Sequence, residues 1–168
     1  ILSLPFSFLK VSYQTTFALL VVVGLSFGAV GMYRWLGNFT KHEKAKALSV
    51  ALWLLQPYLV SLLAYRGNIG EVLAYSLLPW MFVLVHSVLN KMKVIQWIGW
   101  ILLVAAFALS HNITVVFAVP IMLMYAIVVL GREYGSWKRL VGIGFAAVGL
   151  TLWFWLPALL DMSYTVVG

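Results

Sequence analysis

Long apolar runs are the feature that most constrains the fold of this 168-residue chain, which carries only 11 basic and 4 acidic side chains. A helix needs about 20 residues to cross a bilayer. The runs are apolar on every face, which excludes the alternating pattern of a membrane β-strand. The sequence therefore predicts an all-α membrane protein with about six transmembrane helices in a polytopic bundle. The predicted spans are 16–36, 47–64, 70–89, 94–109, 113–130 and 140–160.

The first 15 residues differ from these runs. Pro5, Lys10 and Gln14 interrupt the apolar pattern, which favours an interfacial or re-entrant segment over 1–15. The chain starts without a methionine or a basic leader and stops just after an apolar run. We therefore expect a single transmembrane domain that is an internal fragment of a longer protein. Its partners would include the missing N-terminal and C-terminal parts of the same protein.

The basic residues are distributed unevenly among the loops. Nine of the 11 fall in three loops, at 34–46, 91–93 and 131–139. Positively charged loops stay in the cytoplasm, so the net charge of +7 is a signal of topology rather than of nucleic-acid binding. The pattern predicts that these three loops are cytoplasmic and that the turns at 65–71 and 110–112 are extracytoplasmic.

Polar residues collect at the ends of the spans on the predicted outer side. Charged groups near the hydrocarbon boundary are costly unless they are paired or used, so they are candidates for function. Four of them are candidates for binding a substrate, namely Tyr65, Arg66, His111 and Asn112, and the planar guanidinium of Arg66 suits phosphate oxygens in particular. The weaker catalytic candidates are the two outer carboxylates, Glu71 and Asp161.

Each of these residues also has a structural interpretation, and the sequence leaves both open. The spacing Asn68-x-x-Glu71 matches a capping box at the start of the third span. His111 and Asn112 stand where a tight helical hairpin needs turn-forming residues. Asp161 follows Pro157 and would end a helix at the interface.

Cofactor chemistry has little support in the sequence. There is no cysteine, and the three histidines lack the spacing of a metal site. We therefore expect no cofactor in this fragment, and a divalent metal in the full-length protein is not supported here. Small residues at helical spacing, Gly24 with Gly28 and Gly142 with Gly149, predict close contacts between helices.

Several short motifs occur in the order of a known family. They are Gly31-Met32-Tyr33, Gln56-Pro57-Tyr58, the stretch 65–74 with its Arg66-Gly-x-x-x-Glu71 element, Leu109-Ser110-His111-Asn112 and Trp155-Leu156-Pro157. In these motifs the chain resembles the prokaryotic pyruvoyl-tetrahydropterin-synthase-related membrane proteins over nearly its whole length. The family looks similar to the GT-C glycosyltransferases, which transfer sugars from polyprenyl-phosphate donors at the outer membrane face.

The resemblance implies a GT-C-like fold and a glycosyltransferase of the cell envelope. Its donor would be a sugar linked to a polyprenyl phosphate, held among membrane lipids, and its catalytic loop would lie outside this fragment. The alternative is a transporter or a structural or assembly subunit without enzymatic activity. Only Gln56-Pro57 and Thr151 offer polar groups in mid-span for a transport pathway.

Overall fold

The computed structural model describes residues 12–160, and every regular element among them is a helix. The elements are α1 Tyr13–Leu36, α2 Glu43–Leu54, α3 Pro57–Ser61 with a π-helix Leu62–Arg66, α4 Ile69–Ser87, α5 Val94–Ser110, α6 Asn112–Leu130 and α7 Tyr134–Leu160. The prediction of an all-α membrane protein is confirmed. Most of the predicted interfacial segment 1–15 lies outside the described residues, and α1 already begins at Tyr13.

Five stretches of the described chain are long and apolar enough to cross a membrane. They are Tyr13–Leu36, Glu43–Arg66, Ile69–Ser87, Asn112–Leu130 and Tyr134–Pro157, whereas the apolar helix Val94–Ser110 is shorter. Large apolar side chains cover the outside of these helices, with Val128 at 82% exposure. A soluble protein rarely exposes such continuous apolar surface, so these faces are suited to contact with lipid.

The second span contains a break that the predicted continuous helix 47–64 does not include. Gln56 has an extended backbone, with φ −61° and ψ 145°, between α2 and α3. The cause is Pro57, because proline disfavours the helical conformation of the residue before it and lacks the N–H that would reach the carbonyl of Trp53. The chain then resumes with Pro57 in the first turn of α3.

The chain divides into two compact units, Ile1–Val83 and Leu84–Gly168. In the first unit, α1 packs on α4 through a row of buried glycines. A Cβ atom at Gly28 would lie 2.8 Å from the carbonyl oxygen of Ser76 and 2.7 Å from the Trp53 ring, and one at Gly31 would lie 2.7 Å from the Trp80 ring. The predicted contact at Gly24 and Gly28 is confirmed, and it depends on the absence of a side chain.

The second unit has its own apolar core. Residues of α4, α6 and α7, together with Val88 just after α4, form it: Leu84, Val85, Val88, Ala126, Leu130 and Ile143. Trp97 of α5 packs near Gly142 of α7, whose Cβ would lie 3.4 Å from the indole ring. A Cβ at Gly149 would meet no atom of the described residues within 4 Å, so the predicted contact at that residue is not found in this part of the chain. The spacing of the two glycines in α7 therefore predicted a contact that is present at Gly142 only.

Candidate functional site

The candidate site lies in the first unit, where the π-helix ends and α4 begins. Gly67 adopts a left-handed conformation with φ 56° and donates its N–H to the carbonyl of Leu62. Such a conformation is easy for glycine and costly for residues with a Cβ. The turn reverses the chain immediately after Arg66, so that this side chain lies beside the first turn of α4.

Asn68 starts α4 as its N-cap. Its Oδ1 accepts the backbone N–H groups of Gly70 and Glu71, at 3.1 Å and 3.3 Å. The capping half of the predicted capping box is therefore present. The Glu71 side chain instead directs its Oε1 atom toward Arg66 and Tyr58. The sequence pattern located the helix start, whereas the partners of the carboxylate come from another helix and from the preceding turn.

Three side chains form what we call the Arg66 cluster: Tyr58, Arg66 and Glu71. Arg66 Nη1 lies 2.8 Å from Glu71 Oε1, and the Tyr58 hydroxyl donates to the same oxygen. The Glu71 side chain is only 4% exposed, while that of Arg66 is 54% exposed. A buried carboxylate therefore holds a cation that still presents much of its surface outward.

The second oxygen of Glu71 differs from the first. Oε2 is buried and has no hydrogen-bond partner within residues 12–160. An ionised carboxylate can accept several hydrogen bonds, and burying a polar atom without a partner is costly. The cluster therefore contains an unused acceptor directly beside an exposed cation.

A second layer of polar contacts fixes the helix break next to the cluster. The Tyr75 hydroxyl donates to the carbonyl oxygen of Trp53 at 2.8 Å, and the side chain of Gln56 donates to the Tyr75 oxygen. The rings of Trp53 and Tyr75 stack, with centroids 4.7 Å apart. Tyr75 thus satisfies the carbonyl that Pro57 leaves without its helical partner. It also lies 6.1 Å from Tyr58, measured between ring centroids.

The other predicted site residues have different surroundings. Tyr65 belongs to the π-helix and is 87% exposed. In the second unit, His111 caps α6: its Nδ1 accepts the N–H of Thr114 at 3.3 Å and lies 2.9 Å from the Thr114 hydroxyl. Asn112 is the exposed first residue of that helix. Asp161 lies outside the described residues.

Sequence reasoning did not include Tyr58 or Tyr75 in the site. Pro57 is a signal in the sequence that some side chain must donate a hydrogen bond here, because a proline inside a helix leaves the carbonyl four residues earlier without its backbone partner. The sequence does not show that Tyr75 is this donor, because its position depends on how α4 packs. For metals, the described part of the chain contains no group of three or more His, Asp or Glu side chains placed to hold an ion.

Comparison with known proteins gives one match. A family model described as "6-pyruvoyl-tetrahydropterin synthase related domain; membrane protein" covers residues 2–166. No curated protein and no solved structure matches the chain.

Proposed function

We propose that this chain, which belongs to the family of membrane proteins described as 6-pyruvoyl-tetrahydropterin synthase related, is the central membrane portion of a glycosyltransferase. In this proposal the donor is a sugar linked to a polyprenyl phosphate. Transfer takes place at the extracytoplasmic face of the cell membrane, where Arg66 binds the donor phosphate at the depth of the lipid headgroups.

The observation that carries the proposal is the combination of anchoring and exposure at Arg66. Its guanidinium is held by the buried Glu71 at 2.8 Å, yet 54% of the side chain is accessible. Guanidinium has five N–H donors in a planar fork that matches phosphate oxygens. One nitrogen is used by Glu71, so the others are available to an anionic ligand, and the residue ends a stretch that is long enough to span the bilayer.

The contacts of Tyr58 and Glu71 support a positioning role for these two residues in the proposal. Tyr58 and Glu71 position Arg66, because both converge on the same carboxylate oxygen. Tyr65 is exposed beside Arg66 in sequence and is suited to contact the lipid or sugar. His111 and Asn112, which belong to the second unit, stay candidates on sequence grounds alone, and the Nδ1 atom of His111 is used as a helix cap. For the proton of the acceptor hydroxyl, Glu71 and Asp161 remain the candidates in this chain.

The alternative is a transporter. The break at Gln56 and Pro57, lined by Tyr75, resembles the discontinuous helices at which transporters bind their substrates. A third hypothesis is a structural subunit, which would need neither the exposed Arg66 nor the helix break at Gln56.

Reconstitution separates these functions. The full-length protein that contains this chain is placed in vesicles with polyprenyl-phosphate sugars of several kinds and a membrane extract as the source of acceptor, and free polyprenyl phosphate is measured. The proposal expects cleavage of at least one donor, with the sugar recovered on an acceptor. Movement of the intact lipid between leaflets without cleavage would indicate a transporter. Absence of both, with a folded protein, would contradict the proposal and favour a structural subunit.

The proposed orientation makes a separate prediction. Because the chain has no cysteine, single cysteines can be introduced as reporters. Tyr65→Cys, at a side chain that is 87% exposed, is expected to react with a membrane-impermeant maleimide in intact cells. Lys44→Cys, at an exposed position in the first turn of α2 within the basic stretch 34–46, is expected to react only after the cells are opened. The reverse labelling pattern would place the Arg66 cluster in the cytoplasm and contradict the orientation.

A further inference from the structure

The Arg66 cluster has a polar atom that its own residues do not satisfy. Glu71 Oε1 accepts from both Tyr58 and Arg66, whereas Oε2 has no partner in the described chain and is shielded from solvent. A buried acceptor of this kind stabilises the protein only when a donor reaches it. Because the two oxygens of one carboxylate are adjacent, such a donor would lie next to the Arg66 guanidinium.

The pairing of these two groups defines the ligand that fits them. Arg66 offers hydrogen-bond donors and positive charge, which suit an anionic phosphate. Glu71 offers an acceptor and negative charge, which suit a hydroxyl or ammonium group. The complement of the cluster is therefore a phosphate with a hydrogen-bond donor a few bonds away.

Oε2 is buried, so a ligand can reach it only when a side chain that covers it moves. The two side chains that contact Glu71 are themselves largely exposed, Tyr58 on α3 and Arg66 on the π-helix. A single π-helical turn in a helix is often found at functional sites, and this one ends at the left-handed Gly67. The inference requires that the Arg66 side chain shift toward the bound phosphate and so open the buried Oε2 to the rest of the same ligand.

We propose that Glu71 is a specificity-determining residue that accepts a hydrogen bond from a hydroxyl or ammonium group carried by the same lipid phosphodiester whose phosphate Arg66 binds. The inference rests on the proposed function for the phosphate and adds the requirement for a donor. Two sources provide this chemistry, namely a glycosyl phosphate lipid and a phosphoethanolamine headgroup. A plain alkyl phosphodiester has the same phosphate without the donor.

Three probes with the same farnesyl chain test the inference. Their phosphodiesters end in glucose, in ethanolamine or in an ethyl group, and binding to the full chain in nanodiscs is measured by calorimetry. At least one donor-bearing probe is expected to bind about 10-fold to 100-fold more tightly than the ethyl probe, as a hydrogen bond to a charged group would give. The tighter of the glucose and ethanolamine probes identifies the source. Equal binding of all three would overturn the inference and leave the phosphate site intact, whereas no binding of any probe would contradict the proposed function itself.

Variants test whether Glu71 causes the preference for the donor-bearing probes over the ethyl probe. Glu71→Leu is expected to bind all three probes more weakly, because Arg66 loses its anchor, and in addition to lose the preference over the ethyl probe. Glu43→Gln, which removes the partner of Lys46 elsewhere in the first unit, is expected to leave the preference unchanged. If Glu71→Leu does not fold, Glu71→Gln takes its place, and a reduced preference is expected because the carboxylate charge is gone. A full preference in either folded variant would show that another group recognises the donor and would overturn the inference.

Discussion

Replacing Arg66 with alanine is expected to weaken binding of a polyprenyl phosphodiester by about 10-fold to 100-fold, the range for loss of charge-assisted hydrogen bonds. The reason is that Arg66 is the cation that the buried Glu71 fixes at the end of its span while more than half of the side chain remains accessible. Binding of the farnesyl probes in nanodiscs measures the effect. The thermal unfolding of the variant is recorded in parallel, because Glu71 loses an ion-pair partner.

Two further variants control this experiment. Arg132→Ala removes an exposed arginine from the loop between α6 and α7 and is expected to leave binding unchanged. Arg66→Lys keeps the charge without the planar fork and is expected to retain part of the affinity. Unchanged affinity in a folded Arg66→Ala protein would remove Arg66 from the site, and an equal loss in Arg132→Ala would indicate nonspecific attraction of the lipid by positive charge.

Replacing Gly28 with alanine is expected to lower the free energy of unfolding by about 1–3 kcal/mol, the range for forcing extra atoms into a packed contact. The new Cβ atom would lie 2.8 Å from a backbone oxygen of α4, which cannot move aside without shifting the helix. Unfolding of the full chain in mixed micelles with increasing denaturing detergent measures the change. Since α4 carries Glu71, Asn68 and Tyr75 near its start, we also expect weaker binding of the phosphodiester probes.

The matched control is another glycine in the middle of a membrane helix. A Cβ at Gly149 of α7 would have no neighbour within 4 Å among residues 12–160, so Gly149→Ala is expected to be neutral or to stabilise by up to about 1 kcal/mol through helix propensity. Equal destabilisation by the two substitutions would show that the close approach of α1 and α4 is not what Gly28 provides.

The helices could be predicted from the sequence because each depends on a local property. Continuous apolar runs located the helical segments, and their outer ends were predicted to within four residues except for α7, which begins at Tyr134 rather than at 140. The break at Gln56 depends on Pro57, which was visible, but prolines 79, 120 and 157 lie within continuous helices. Whether a proline interrupts a span depends on its neighbours, and here Tyr75 and Gln56 satisfy the polar groups that the break exposes.

The site could be predicted only in part, because some of its contacts are local in sequence and others depend on how the helices pack. The spacing of Arg66 and Glu71 around a glycine and a capping asparagine was sufficient to bring them together, since all of these residues belong to one turn. Tyr58 comes from the preceding helix, and its contact with Glu71 depends on the π-helix that lies between Tyr58 and the turn. The unsatisfied oxygen of Glu71 is a property of the packed structure, and no sequence pattern encodes it directly.

The most direct test of the central claim is to locate the bound phosphate. A polyprenyl phosphodiester with a photoreactive group beside its phosphate is cross-linked to the full chain in nanodiscs, and the labelled peptides are identified by mass spectrometry. The account predicts labelling within residues 57–71, lost in the presence of excess unmodified probe. Labelling confined to the basic loops at 34–46, 91–93 or 131–139 would contradict it.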